Sequence, residues 1–463
     1  MRIWPAQDVY SEADSHDGNS EHDYLAGGLS KIDFEALLVV YDAHAFFGDG
    51  MAVNPNAGVA SMSRVRNAHL RIPCWIGLAT VISACGSEND ASRDVVRRDS
   101  AGVTIVENPA ILAHTALPWI VDSLPHLDIG AAEGEEPYQL FRVATAVQLD
   151  DGRILVVNSG TQELRFFDAR GSFLSSVGGP GEGPGEYRYP QLIPDLDLDT
   201  LRIFDMTGRV TVLDAQGALI RIETPRAAVR QPIGVLSGRL IAAAGSARAA
   251  LDTPEGIVAN DITYESIDPA AALRDTLFEI GGFDLFLSNT RGRIAFTRVP
   301  FDAGPSAAVA ENRLYVTPGG VPEVLVVDSM GELVQSFRIM ETPEPVTRTA
   351  FDRIVEENVA RASSEADAAE LRRRYGLMPM PEQIPFFQNL LIDSSRNLWL
   401  QAFTSDDAAR PEWVVLDPSG RVLGRVVTPS GVSITQIGRD HVLGIRRDDA
   451  DVEHVVRFRL QRS

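Results

Sequence analysis

The chain has 463 residues, 44% of them hydrophobic and 23% charged, with 38 Gly, 27 Pro and only two Cys. Its net charge of −22, from 64 Asp and Glu against 42 Lys and Arg, argues against a nucleic-acid partner, since phosphate binding draws its affinity from clustered cations. Two cysteines cannot build a disulfide framework, the ordinary apolar fraction is not that of a disordered chain, and the length admits two or three domains or one large β domain.

The charge is unevenly spread. Residues 1–61 carry −8, residues 62–84 carry +3 with no acid, and residues 85–463 carry −17. In the basic island, Arg64, Arg66 and Arg71 precede the uncharged run Ile72–Ala84. That run is too short for the ~20 residues of a spanning helix and has the length and flanks of a signal-peptide core.

Ile82, Ser83, Ala84 and Cys85 then follow the order aliphatic, small, small, cysteine, and Gly86–Ser92 is polar and flexible. This segment resembles a bacterial lipoprotein signal. The resemblance implies cleavage before Cys85, lipidation of its thiol and an anchor in the cell envelope, with Gly86 favouring the outer membrane or periplasmic face. Cys74 would leave with the signal, so the exported chain would have no free thiol, as suits an oxidising compartment. The alternative for this segment is a buried cytoplasmic helix with a chance cysteine.

Met62 would give the signal an ordinary length. Residues 1–61 are therefore expected to be a leader that is either wrongly assigned or disordered, as the Ser, Asp, Glu and Asn of Ser11–Asp23 suggest. Residues 62–84 are expected to be the signal, 85–101 a flexible tether, and 102–463 one folded domain.

After the tether the chain changes to short alternating runs separated by Asp, Asn and Gly turns, the pattern of an all-β domain. Ala146–Asn158 reads as two strands about an Asp-Asp-Gly turn, and Leu164–Val177 as two more about Asp168 and Gly171. Copies recur at Leu201–Ile220, Asn312–Val334 and Asp393–Leu423, with a weaker one spanning Gly238–Ile241 and Ile262–Asp268. In each strong copy an apolar strand ends in Asp and a Gly shortly afterwards closes a turn. Self-similarity at about 40 to 60 residues, four strands per unit, is the signature of a β-propeller, and the order of copies predicts six blades. A β-sandwich is the rival. The final run, Asp440–Leu460, lacks a full set of strands, and Gly102–Asn108 is expected to pair with it and close the ring.

The Asp-Gly-Arg-Ile turn of Asp151–Ile154, the Leu-Arg-Phe-Phe-Asp of Leu164–Asp168, the loop Gly178–Tyr187 and the closing Ile437–Ile445 resemble the six-bladed propellers of bacterial envelopes, relatives of the NHL-repeat group. The resemblance covers roughly residues 102–460 and implies a fold more than an activity. It departs near Ala243–Pro254, where the strand pattern fades.

Chemistry-bearing residues are sparse. The loop Gly178–Gly185 has no Lys, Ser or Thr and so is no phosphate cradle. It is read either as a rigid connection between blades or as a surface loop presenting Glu182, Glu186 and Tyr187 to a ligand. His114, His126, His441 and His454 stand alone, without metal-ligand spacing. The alternation of Asp195–Asp199 suggests a strand with its carboxylates on one face, and calcium is a minor possibility there. Ser306 and Ser433 have no local partner for nucleophilic catalysis. One helical insertion, 347–376, breaks the repeat: a first helix capped by Thr349, and a second from Ser364 to Gly376 with Arg372–Arg374 complementing its dipole. It is expected to lie across one propeller face.

The sequence thus leads to a monomeric, lipid-anchored propeller that binds a protein, peptide or glycan, with no catalytic residues and no metal or cofactor assigned. The alternative is a hydrolase or lyase with a metal on the propeller axis.

Overall fold

The structure, a computed structural model, describes residues 94–462 except 226–228, 230, 248–252, 270–272, 291–292 and 406–408. The expected signal, the expected lipidation site Cys85 and the residues before them lie outside the described residues. The protein is an all-β, six-bladed β-propeller: the strands fall into six sheets, taken in chain order around a ring.

Blade one is Val143–Gln148, Ile154–Asn158, Glu163–Phe167 and Phe173–Gly178. Blade two is Gln191–Leu192, Thr200–Phe204, Val210–Asp214 and Leu219–Glu223. Blade three runs from Gln231–Leu236 through Arg239–Gly245 to the long strands Gly256–Ile267 and Arg274–Thr290, and adds Arg293–Arg298. Blade four is Ser306–Ala310, Arg313–Thr317, Glu323–Val327 and Leu333–Met340. Blade five is Phe387–Ile392, Leu398–Ala402, Glu412–Leu416 and Val422–Val427. Blade six supplies only Val432–Ile437, His441–Arg447 and Glu453–Gln461 from its own stretch of chain.

The sequence period becomes geometry at the turn after the third strand of blades one, two, four and five. The Asp168 carboxylate accepts the N–H groups of Arg170 and Ser172, both at 2.8 Å. Asp214, Asp328 and Asp417 repeat this with the residues two and four further on. Gly171, Gly217, Gly331 and Gly420 follow at φ between 83° and 86°, a region costly for residues with a Cβ. Gly420 is doubly constrained, since a Cβ there would stand 2.2 Å from the Phe337 ring of blade four.

Each blade carries apolar residues on both faces, and one apolar cluster fills each of the six interfaces. The first strands of neighbouring blades lie side by side around the axis.

The expected closing strand is not the one used. Val103–Pro109 runs parallel to Leu333–Met340 on the outer edge of blade four, and Val96–Ser100, inside the expected tether, pairs with it antiparallel. The cause is Asn108. Its buried amide donates to the carbonyls of Arg338 (3.1 Å) and Gly420 (2.9 Å) and accepts from Val422 N–H at 2.8 Å, pinning the strand across blades four and five.

The chain then passes through α1 (Ala110–His114) and along the outer strand of blade five, where Thr115 and Leu117 exchange main-chain bonds with Arg425. It reaches blade six as Ile120–Val121 and Leu127–Ile129, both paired with Glu453–Gln461. These short strands close the ring. The segment 96–129 is therefore a strap over the outer edges of three consecutive blades.

A basic cluster sits at the seam. Arg457 donates from Nε to His126 Nε2 (3.0 Å), from Nη1 to the Gln148 side chain (2.8 Å) and from Nη2 to the Ala169 carbonyl (2.9 Å). His126 must be neutral to accept that bond. Desolvation, then the charges of Arg457 and Arg459, lower its pKa, and desolvation likewise lowers that of His441 despite its Asp440 partner.

Two predictions follow from these contacts. Gly420→Ala combines positive φ with a clash and is expected to cost about 2–3 kcal/mol. Gly208→Ala, at φ 81° with nothing within 4 Å of the added Cβ, is expected to cost only about 1 kcal/mol. Urea unfolding of the two variants measures the difference. The second concerns pH: because both folded histidine pKa values lie below the unfolded value of about 6.5, the unfolded chain binds more protons in that window. Stability is therefore expected to fall as pH drops from about 7.5 to 5.5, above the range in which carboxylates titrate. His126→Gln, which keeps an acceptor for Arg457 but cannot titrate, is expected to flatten the slope, and an unchanged slope would refute the assignment.

Candidate functional site

Successive strands run antiparallel, so the turns between second and third strands share one propeller face with the connections between blades. Three unusual elements meet on this face: the glycine-rich loop after blade one, the protruding hairpin of blade three and the helical insertion after blade four.

The glycine-rich loop is a braced connection. Arg209, from the turn between the second and third strands of blade two, donates to the carbonyls of Glu182, Gly183 and Glu186 and pairs with buried Asp205 at 2.9 Å. The Glu186 carboxylate accepts the Gly183 N–H at 2.7 Å and fills the space a Cβ on Gly181 or Gly183 would need. Glu182 is exposed and paired with Arg188.

Tyr187 corrects the expectation of a ligand-presenting loop. It is fully buried between blades one and two, with its hydroxyl unpartnered and its pKa pushed up to about 12 by desolvation and the nearby Asp205. Its ring is core, so of the three expected residues only Glu182 and Glu186 remain at the surface.

The other expectations resolve as follows. Asp195–Asp199 is a loop rather than a strand, because the Asp195 and Asp197 carboxylates accept the N–H groups two residues ahead and Asp195 pairs with Arg202. His114 pairs with Glu341 and His454 with Asp128, both in the strap's contacts with outer strands. Ser306 Oγ donates to the Leu390 N–H's neighbour, the Asn389 side chain, and accepts from that N–H. Among the described residues no three His, Cys, Asp or Glu side chains gather so as to hold a metal ion.

The helical insertion is α2 (Arg348–Ala360) and α3 (Glu365–Leu377). Thr347, not Thr349, caps α2 by accepting the Ala350 N–H at 3.2 Å. Ser364 caps α3 through the Asp367 N–H.

The three arginines do more than complement a dipole. Arg372 pairs with Glu356 of α2, Arg374 with Glu370, and Arg373 with both Glu370 and Glu255 of the blade-three hairpin. Val359, Tyr375 and Met378 pack on Phe286 and Val299 of that hairpin and its exit. Here Gly256–Asn260 pairs with Phe283–Leu287, beyond the body of the blade.

Between hairpin, α3 exit and blade four lies a hollow of about 390 Å³. Its walls include Ile257, Val299, Phe301 and Met380, and its polar groups include the carboxylates of Asp284, Asp302 and Glu382. Asp302 accepts the Asp284 N–H, while partial burial and the Asp284 charge raise its pKa. Phe301 is buried at φ 59°, its ring 5.8 Å from that of Phe403. Positive φ in so bulky a residue is costly and tends to persist where surrounding packing or function demands it.

A second hollow of about 360 Å³, between blades six and one, includes Arg165 in its lining. That guanidinium is saturated by Glu163 and by the carbonyls of Glu136, Pro137 and Gln139, leaving the hollow beside the α3 exit as the better candidate. Sequence reading missed it because its residues come from five separated stretches, none with a motif.

The fold class agrees with known proteins. A family model described as a 6-bladed beta-propeller matches residues 139–218, which hold blade one and most of blade two. Among solved structures, a member of a domain family of unknown function from Bacteroides vulgatus is 10% identical with a TM-score of 0.43, covering 74% of this chain and 99% of its own. A candidate exported protein of Bacteroides fragilis is 11% identical with a TM-score of 0.39, covering 78% and 99%. Virginiamycin B lyase from Staphylococcus aureus is 10% identical with a TM-score of 0.31, covering 69% and 80%. No curated protein matches the chain.

The buried Tyr187 hydroxyl yields a prediction. Tyr187→Phe removes an unpaired polar atom and is expected to leave stability unchanged or raise it by up to about 1 kcal/mol. Arg209→Ala, which frees three loop carbonyls and strands buried Asp205, is expected to cost about 2–4 kcal/mol. Thermal unfolding of the two variants checks the opposite signs.

Proposed function

We propose that the chain is a bacterial envelope β-propeller, held to the membrane by lipid on Cys85, that binds a protein, peptide or glycan on its capped face, with no catalysis assigned. The observation that carries this reading is the hollow between the blade-three hairpin, the exit of α3 and blade four. It joins an apolar wall to carboxylates that form no ion pair among the described residues and is bordered by the strained Phe301, the composition of a binding site.

The anchor reading rests on Ile82, Ser83, Ala84 and Cys85. Val96 begins the strap eleven positions after Cys85, so an extended tether would reach about 35–40 Å from the lipid. That length suits a propeller standing clear of the bilayer with its face accessible. The strap would also link the anchor directly to the ring-closing strands.

Two measurements test the parts separately. Cys85→Ser is expected to move the protein from the membrane fraction to the soluble fraction and to abolish incorporation of labelled fatty acid; retention of both would refute the anchor. For the site, arrays of peptides and glycans probed with the purified chain are expected to give ligands whose binding weakens at least about tenfold in Met380→Trp. Met380 is an exposed residue at the rim, so the larger ring fills the hollow without touching a blade core. Ligands bound equally by both forms would place the binding surface elsewhere.

A further inference from the structure

The hollow has a chemical preference of its own. Its charged lining residues are Asp284, Asp302 and Glu382, with no Lys, Arg or His among the lining. Among the described residues none of the three carboxylates forms an ion pair. Arg298 lies close enough to Asp302 for their charges to attract, but its guanidinium stands 4.6 Å over the Phe283 ring and its Nε donates to the main-chain oxygen of Asp302, so it forms no ion pair with that carboxylate. Asp284 and Glu382 are exposed and Asp302 is half-buried; at Asp302 burial and the Asp284 charge outweigh the attraction of Arg298 and disfavour the ionised form, and an incoming cation relieves that state.

The remaining walls suit the stem of a long basic side chain. Ile257, Val299, Phe301, Pro379, Pro381 and Pro385 provide apolar surface beside the carboxylates, and Lys and Arg bury their methylenes along such surface while keeping the charged end on polar groups. The rim is open to main chain at Gly320, where an added Cβ would meet nothing within 4 Å. The charge of −17 on residues 85–463 adds a long-range field that draws cations in.

From this complementarity we infer that the capped hollow docks a basic side chain, arginine or lysine, of a peptide or protein partner, its stem on the apolar wall and its charge between Asp302 and Glu382. The inference rests on the capped hollow being the binding site.

The test uses the purified full chain and two fluorescein-labelled, acetylated pentapeptide amides, Gly-Leu-Arg-Leu-Gly and the same peptide with citrulline for arginine. Citrulline keeps the shape and removes the charge. Fluorescence anisotropy is expected to show the arginine peptide binding about tenfold more tightly than its neutral twin. That preference is expected to vanish in the double variant Asp302→Asn with Glu382→Gln, whose unfolding temperature confirms an intact fold. Equal binding of the two peptides, weakened for both by Met380→Trp, would overturn the charge inference while leaving the capped site standing. Binding of neither peptide would overturn the inference, and the array measurement then decides whether the capped site falls with it.

Discussion

A four-stranded sheet with apolar residues on both faces cannot be satisfied by solvent on either side, and a ring is the arrangement in which every such face meets another. The whole chain is organised by that demand. Blades one to five close most of the circle, but blade six brings three strands, leaving an unpaired edge and an apolar surface where blade one should pack. Ile120–Val121 and Leu127–Ile129 fill the edge. Leu127 and Ile129 then complete the apolar cluster between blades six and one. Remove that junction and the remaining interfaces lose the closure that holds them in register.

The N-terminal strap makes closure a matter of several blades rather than one. Asn108 joins blades four and five through three hydrogen bonds, Thr115 and Leu117 bind the edge of blade five, and the last strands bind blade six. The C-terminus answers from the other side. Arg462 lies over the Trp119 ring at 4.6 Å and pairs at 2.8 Å with Asp393, whose carboxylate also takes the Trp399 indole N–H. The later part of the strap and the C-terminus are thus both fastened at blades five and six.

The candidate site arises where the repeat is broken. A strict propeller would join blade four to blade five by a short connection and would end the second hairpin of blade three at the face. Here both are extended, and they pack on each other through Phe286, Val359 and Tyr375 and through the Arg373–Glu255 pair. The hollow is the space left between this superstructure and the blade beneath it. Strain at Phe301 fits that picture, since the chain must turn sharply from the hairpin into blade four while its ring stays with Phe403 and Phe351.

Much of the architecture was legible in local pattern. The Asp and Gly turns are set by hydrogen bonds within five residues, so four clear copies announce a propeller without any tertiary information, and the two helices are written in their spacing and in the Ser364 cap, although the first starts behind Thr347 rather than Thr349. What depends on distant partners was not legible. Strands of two and three residues such as Ile120–Val121 and Leu127–Ile129 have no period to detect, so the closing role passed in expectation to the longer Gly102–Asn108. Tyr187 looked like a surface aromatic because loop glycines imply exposure, whereas the neighbouring blade buries it. Asp302 and Glu382 lie eighty residues apart and meet only because hairpin and insertion fold over the same face. Local hydrogen bonding and side-chain alternation act between near neighbours and so leave their mark in sequence. Pairing of edges, burial of loops and convergence of charge depend on which blades become adjacent, and only the closed ring decides that.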